Sequence, residues 1–261
     1  MLTKDKITTE NFESLKVETA RLREDTQKQE EALEDIRVLR EYALDRGMPD
    51  EVVQLYLEES LIHQHSYMEK AEPEALANMK RAVEMAGDYV AKNKMVEWES
   101  RIHRFLGRVA DYEKKYQEAA DYYKKAIAEV ALDPKFGENR ALAFEYRGFL
   151  ILDDLRLGDT KAAVAAAEKL YDDYESTAEG AELKARDFTT WAVWRSGVYI
   201  NLCRALIDMG LLEEYRDAIV KWLDLAESNF QAPDGAVTWS DFGFRKNEII
   251  KVRDVVGGVK Q

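Results

Sequence analysis

One cysteine, Cys203, stands alone in 261 residues, so no intramolecular disulfide is possible. Its setting, YINLCRALI, is that of a small buried hydrophobe more than of a reactive thiolate, which needs an electropositive neighbourhood. Proline occurs only four times and glycine 13 times, too few for a loop-rich or strand-and-turn protein. Long apolar runs are missing as well: none approaches the roughly 20 residues a spanning helix needs, which excludes membrane insertion through a helix. The opening MLTKDKITTENFESL has neither the apolar core of a secretory signal nor the acid-free character of a transit peptide, and a cytoplasmic location is the resulting expectation. Positive charge is outweighed, 38 Lys and Arg against 51 Asp and Glu, and a net charge of -13 repels phosphate backbones, so nucleic acid is not an expected partner.

What is present is helix-forming material. Ala, Leu, Glu, Lys and Arg are abundant, and apolar residues recur at helical spacing between clear breaks. The breaks fall at Gly47-Met48-Pro49-Asp50, Glu72-Pro73, Asn93, Asp133-Pro134, Gly158-Asp159, Gly210 and the stretch Gln231 to Val237. They predict an all-α chain with helices near 8–46 (interrupted), 50–70, 73–92, 95–114, 116–131, 138–157, 159–174, 178–209, 211–228 and 240–256. Asp50 and Asp159 suit N-caps, Pro73 a first helical position, and Ser176-Thr177-Ala178-Glu179 has the spacing of a capping box. Leu15, Leu22, Ile36 and Ala43 keep a seven-residue spacing that a coiled coil would use, but Gln29 occupies the centre of the series and REDTQKQEE at 23–31 is wholly polar. A capping helix with a solvated middle is the competing expectation, and the oligomeric state stays open.

In 105–127, FLGRVADYEKKYQEAADYYKKAI, Leu106, Gly107, Ala119, Tyr123 and Ala126 alternate small residues for backbone approach with larger ones that fill between turns. With Tyr116 and Pro134 these positions resemble the tetratricopeptide repeat. His103 stands where that family usually has Trp, Ala110 where it has Tyr, and Pro134 comes about one turn late. Two further hairpins are similar but degenerate: Gly158-Asp159 with Ala163, Ala167 and Leu170, and Gly210 with Tyr215, Ala218, Trp222 and Leu225. The pair 50–70 and 73–92 fits the hairpin geometry without the signature residues. The resemblance implies a right-handed α-solenoid of four or five hairpins, divided as an N-terminal helical cap at 1–49, the array at 50–228 and a C-terminal loop, capping helix and tail at 229–261. In the last segment Ser240 is the expected cap and Trp239 the pin of the preceding loop. Phe242, Phe244, Ile249, Ile250, Val252, Val255 and Val256 are expected to cover the array, before Gly257-Gly258 ends the helix.

Nothing in the sequence resembles a phosphate loop, a dinucleotide fingerprint, a zinc-protease helix or a nucleophile elbow, so neither an enzyme nor a cofactor is expected. His63 and His65, two apart on a helix, point to nearly opposite faces, and no metal site is expected from them with Glu59. Arg101, Arg104 and Arg108 do share a face, opposite Ile102, Phe105, Leu106, Val109 and Tyr112. By resemblance this face lines the groove where tetratricopeptide repeats hold ligands, and three guanidinium groups there suit an acidic peptide or carboxylate. The plain alternative is a solvated ionic face, with Glu97 four residues before Arg101 and Asp111 three after Arg108 as intrahelical partners. The Lys and Asn by which the carboxylate-clamp type holds chaperone C-termini are missing. The expected function is a protein-interaction scaffold binding a peptide or partner helix on a concave face. The alternative is a ligand-responsive regulator that senses a small molecule or signalling peptide.

Overall fold

A computed structural model describes residues 2–23, 25, 27–134, 140–231 and 242–258. Among them are twelve α-helices and no strand, as the periodicity predicts. The chain divides into two compact units, Met1–Lys115 and Tyr116–Gln261.

The first unit opens with α1 (Phe12–Leu22), α2 (Gln29–Arg46), α3 (Pro49–Lys70) and α4 (Pro73–Asn93). A 3-10 turn at Val96–Trp98 then leads into α5 (Glu99–Tyr112). Pro49 and Pro73 take first helical positions, where a missing N–H costs nothing. Gly47 ends α2 with φ 64°, and Met48 N–H donates back to the Ala43 carbonyl at 3.0 Å, closing the helix. The expected interrupted helix over 8–46 is two helices folded on each other. Phe12 stacks on Tyr42 at 5.7 Å, and Leu15 and Leu22 of α1 pack against the cluster that holds Ile36 and Ala43 of α2. The seven-residue series is thus spent inside one chain, with Leu15 and Leu22 on α1 and Ile36 and Ala43 on α2. Gln29, central to that series, instead begins α2 and donates to the Arg23 carbonyl at 3.2 Å. Asp50 is not a cap either: it is the second residue of α3, and its carboxylate accepts from Trp98 Nε1 at 2.7 Å. Beneath, Val53, Met79, Val83, Val90, Trp98 and Ile102 form a core between α3, α4 and α5.

The second unit runs α6 (Tyr116–Glu129), α7 (Leu142–Arg156), α8 (Thr160–Ser176), α9 (Ala178–Arg186), α10 (Phe188–Asp208), α11 (Leu212–Ser228) and α12 (Gly243–Val256). Helix α6 packs on α7, α7 on α8, α8 on α10 and α10 on α11, and α12 lies against both α10 and α11. Gly158 (φ 107°) and Gly210 (φ 76°) close α7 and α10 in the left-handed region. Asp159 caps α8, accepting from Ala162 N–H at 3.3 Å. At the next junction Thr177, not Ser176, is the cap: its hydroxyl accepts from Gly180 N–H at 3.2 Å and donates to the Asp173 carbonyl at 2.6 Å. The expected single helix over 178–209 is broken at Asp187, whose carboxylate accepts from Thr190 N–H at 2.9 Å and starts α10.

Four rings run through this unit as a column: Tyr171 on Tyr199 at 4.1 Å, Tyr199 on Trp222 at 5.7 Å and Trp222 on Tyr215 at 6.4 Å, with interplanar angles of 18° to 24°. Arg195 lies over Tyr171 at 3.8 Å and donates to Asn229 Oδ1 at 2.7 Å, while Asn229 donates to the Tyr171 hydroxyl at 2.9 Å. Phe242, just before α12, and Ile249, Val252 and Val256 within it cover the core as expected. Phe244, Ile250 and Val255 do not: they are exposed, because an α-helix can turn only one stripe toward its neighbours. The expected roles of Trp239 and Ser240 lie outside the described residues.

Candidate functional site

The arginine stripe sits on α5. Ile102, Phe105 and Val109 are buried beneath it, and Leu106 and Tyr112 pack against the same core. None of the three arginines is a fully solvated side chain; each is half-buried with its guanidinium over a ring. Arg101 lies 5.6 Å from the Trp98 ring, Arg104 4.5 Å from Phe105 and Arg108 4.7 Å from Tyr112. Arg108 is also engaged electrostatically, donating to Asp111 Oδ2 at 2.6 Å and to the Tyr112 hydroxyl at 2.7 Å. The Asp111 pair expected from spacing is therefore present. Glu97 lies in the 3-10 turn ahead of α5, so its spacing to Arg101 is not that of one continuous α-helix.

The best repeat signature straddles the boundary between units. Leu106 and Gly107 lie on α5 of the first, Tyr116, Ala119, Tyr123 and Ala126 on α6 of the second, and the division falls at Lys115 in the turn. Lys114 takes φ 60° there, and Lys115 N–H donates to the Ala110 carbonyl at 2.9 Å, a helix ending usually given to glycine. Ala119, Tyr123 and Ala126 are fully buried.

Burial holds the His63 imidazole below its ordinary range, with Glu59 acting in the opposite sense. Glu59 pairs with Arg40. Among the described residues no three His, Cys, Asp or Glu side chains converge as a metal site would require. Cys203 is buried, and that burial pushes its thiol up to about 12.

Sequence reasoning missed a cleft in the second unit. It has about 160 Å³ of free volume and is lined by Gly148 of α7, Tyr174 of α8, Trp194, Gly197 and Asn201 of α10 and Arg245 of α12. Phe144, Phe149 and Glu145 complete the α7 wall. Burial raises the Tyr174 hydroxyl well above its usual range; Glu145 adds to this, and Arg147 and Arg245 oppose it. Gly197 makes room for Arg245: a Cβ there would lie 2.7 Å from its Nη2. The Arg245 side chain is 13% exposed, and its Nη1 donates to Glu248 Oε2 at 2.6 Å. The sequence did carry a signal for this site, since a glycine inside a helical pattern often marks a close approach. Gly197 in RSGVY is such a residue, whereas Gly148 in YRGFL meets only ordinary contact.

No protein-family model matches the chain, and no curated protein matches it in sequence. Among solved structures it is similar to the crystal structure of BtubC (BKLC) from P. vanneervenii, with 16% identity, 89% of this chain and 95% of that chain covered, and a TM-score of 0.49. That likeness is too distant to carry fold or function to this chain. No helix among the described residues is long and apolar enough to cross a membrane.

Proposed function

We propose that the chain is a protein-interaction scaffold of tetratricopeptide-like hairpins, arranged as short right-handed stacks within each unit, and that the arginine stripe of α5 receives an acidic peptide or partner helix. The supporting observation is the seating of Arg101, Arg104 and Arg108 on Trp98, Phe105 and Tyr112. A guanidinium stacked on a ring has already given up much of its rotamer freedom, so less is lost when it closes on a carboxylate. In a protein of net charge -13 such a local cationic face distinguishes an acidic partner from the generally acidic surface that repels it. Arg108 must exchange Asp111 for the partner, whereas Arg104 stands central between two like charges, and its reversal should weaken capture most. The work is binding, not catalysis.

The test is affinity capture from cell extract with mass spectrometry, wild type against Arg104→Glu, in low and moderate salt. Partners should be lost with the variant and weakened by salt, and thermal melting should show that the variant is folded. Identical recovery from both proteins would reduce the stripe to a solvated ionic face.

A further inference from the structure

The second unit carries a half-used cation. Among the described residues Glu248 is the only hydrogen-bond acceptor of the Arg245 guanidinium, and Glu248 is itself shared with Arg204 through its other oxygen at 2.9 Å. Among the described residues Arg245 Nε is buried without an acceptor, and Nη2 lies over Gly197 on the wall of the cleft. Leaving donors of a buried cation unsatisfied is expensive, and such a group in a native fold calls for a partner. Nη2 is the donor turned to the cleft, and a carboxylate there would accept a charge-assisted hydrogen bond from it. The rest of the cleft is mostly apolar and aromatic, and its volume of about 160 Å³ is close to the roughly 150 Å³ of a cavity that holds one benzene ring. Glu145 on the facing wall penalises a second negative charge.

We propose that this cleft binds a small aromatic monocarboxylate, its ring among Phe144, Phe149 and Trp194 and its carboxylate accepting from Nη2 of Arg245. The site is independent of the arginine stripe on α5. Gly197 is what permits it, since any side chain there would displace the guanidinium from the wall.

The test is calorimetric titration of the full chain with phenylacetate, with phenylphosphonate as the dianionic comparison and acetyl-Gly-Gly-Phe as a carboxylate carried by a peptide. The proposal expects saturable phenylacetate binding that is tighter than for phenylphosphonate. It also expects affinity at least tenfold weaker in Arg245→Gln and in Gly197→Ala. Thermal melting shows whether each variant is folded; if Arg245→Gln is not, Val198→Trp, which adds an indole to the cleft wall, must weaken binding instead. Absence of saturation up to about 10 mM, weaker than the affinities by which useful ligands bind, would overturn the proposal. So would unchanged affinity in the folded variants. Tighter binding of the tripeptide than of phenylacetate would overturn it in favour of a peptide C-terminus.

Discussion

Trp98 Nε1 donates to Asp50 Oδ1 at 2.7 Å, joining the 3-10 turn before α5 to the start of α3. Trp98 is fully buried, so this bond holds the polar end of the largest side chain in the first unit's core. Asp50→Ala removes a charged acceptor and leaves an indole N–H in search of a partner. It should cost about 1.5 to 3 kcal/mol, as hydrogen bonds to charged groups do, read as a lower denaturant midpoint with an unchanged slope.

Two helical glycines should respond in opposite ways. A Cβ on Gly180 would lie 2.3 Å from the Tyr174 carbonyl oxygen, which is backbone and cannot step aside, so Gly180→Ala should destabilise by about 1 to 3 kcal/mol or more. On Gly148 the nearest atom is Leu170 Cδ2 at 3.8 Å, ordinary contact. Gly148→Ala should be neutral or stabilising by up to about 1 kcal/mol through helix propensity. Thermal melts of the two variants side by side decide the matter.

Asp173 supplies a pH dependence. Burial alone would raise its carboxyl, but hydrogen bonds from Lys169 at 2.7 Å and Arg147 at 2.8 Å overcome this and hold it below the ordinary carboxylate value. A carboxyl lowered in the folded state contributes stability above its unfolded pKa and loses it as pH falls through the folded one. Between about pH 5 and pH 2, wild-type stability should therefore fall more steeply than that of Asp173→Asn. Parallel curves would show that the two cations add nothing to folding.

Cys203, with its thiol near 12 and no exposed surface, should resist alkylation in the native state. Iodoacetamide at pH 8 should label it only as fast as the second unit unfolds, and labelling should accelerate in step with added urea. Rapid labelling without denaturant would contradict the burial.

Helix ends were legible wherever punctuation is local: Gly47, Pro49, Pro73, Gly158 and Gly210 each fix a φ or remove a donor within a residue or two of the break. The break at Asp187 escaped because Leu183, Phe188 and Trp191 continue the apolar periodicity across it, and neither Gly nor Pro interrupts the run. The capping-box spacing of Ser176 to Glu179 is not used as a cap, because the Ser176 hydroxyl donates to the Asp172 carbonyl at 2.9 Å. The stripe of Arg101, Arg104 and Arg108 followed from helical spacing, but their seating on rings depends on which rotamers the neighbouring helices leave open. The cleft had one local signal, Gly197 inside a helix, but Arg245 and Gly197 belong to helices that meet only through tertiary packing, so the glycine could not say what approaches it. The division at Lys115 has the same origin, since a local signature specifies a hairpin and is silent on which neighbours each of its helices will join.

The ring column of Tyr171, Tyr199, Trp222 and Tyr215 makes the second unit optically distinct. Tyrosines held 4 to 7 Å from one another and from an indole transfer excitation to it and couple as chiral chromophores, so their near-ultraviolet dichroism exists only while the column stands. Trp98 is the single tryptophan of the first unit. The near-ultraviolet bands that vanish in Trp222→Phe belong to the column and follow the second unit, and the emission of Trp98, isolated by replacing the other indoles, follows the first. The aromatic residues that stabilise each unit thus also supply it with a colour of its own, by which the order of its loss under heat or denaturant can be read without any added label.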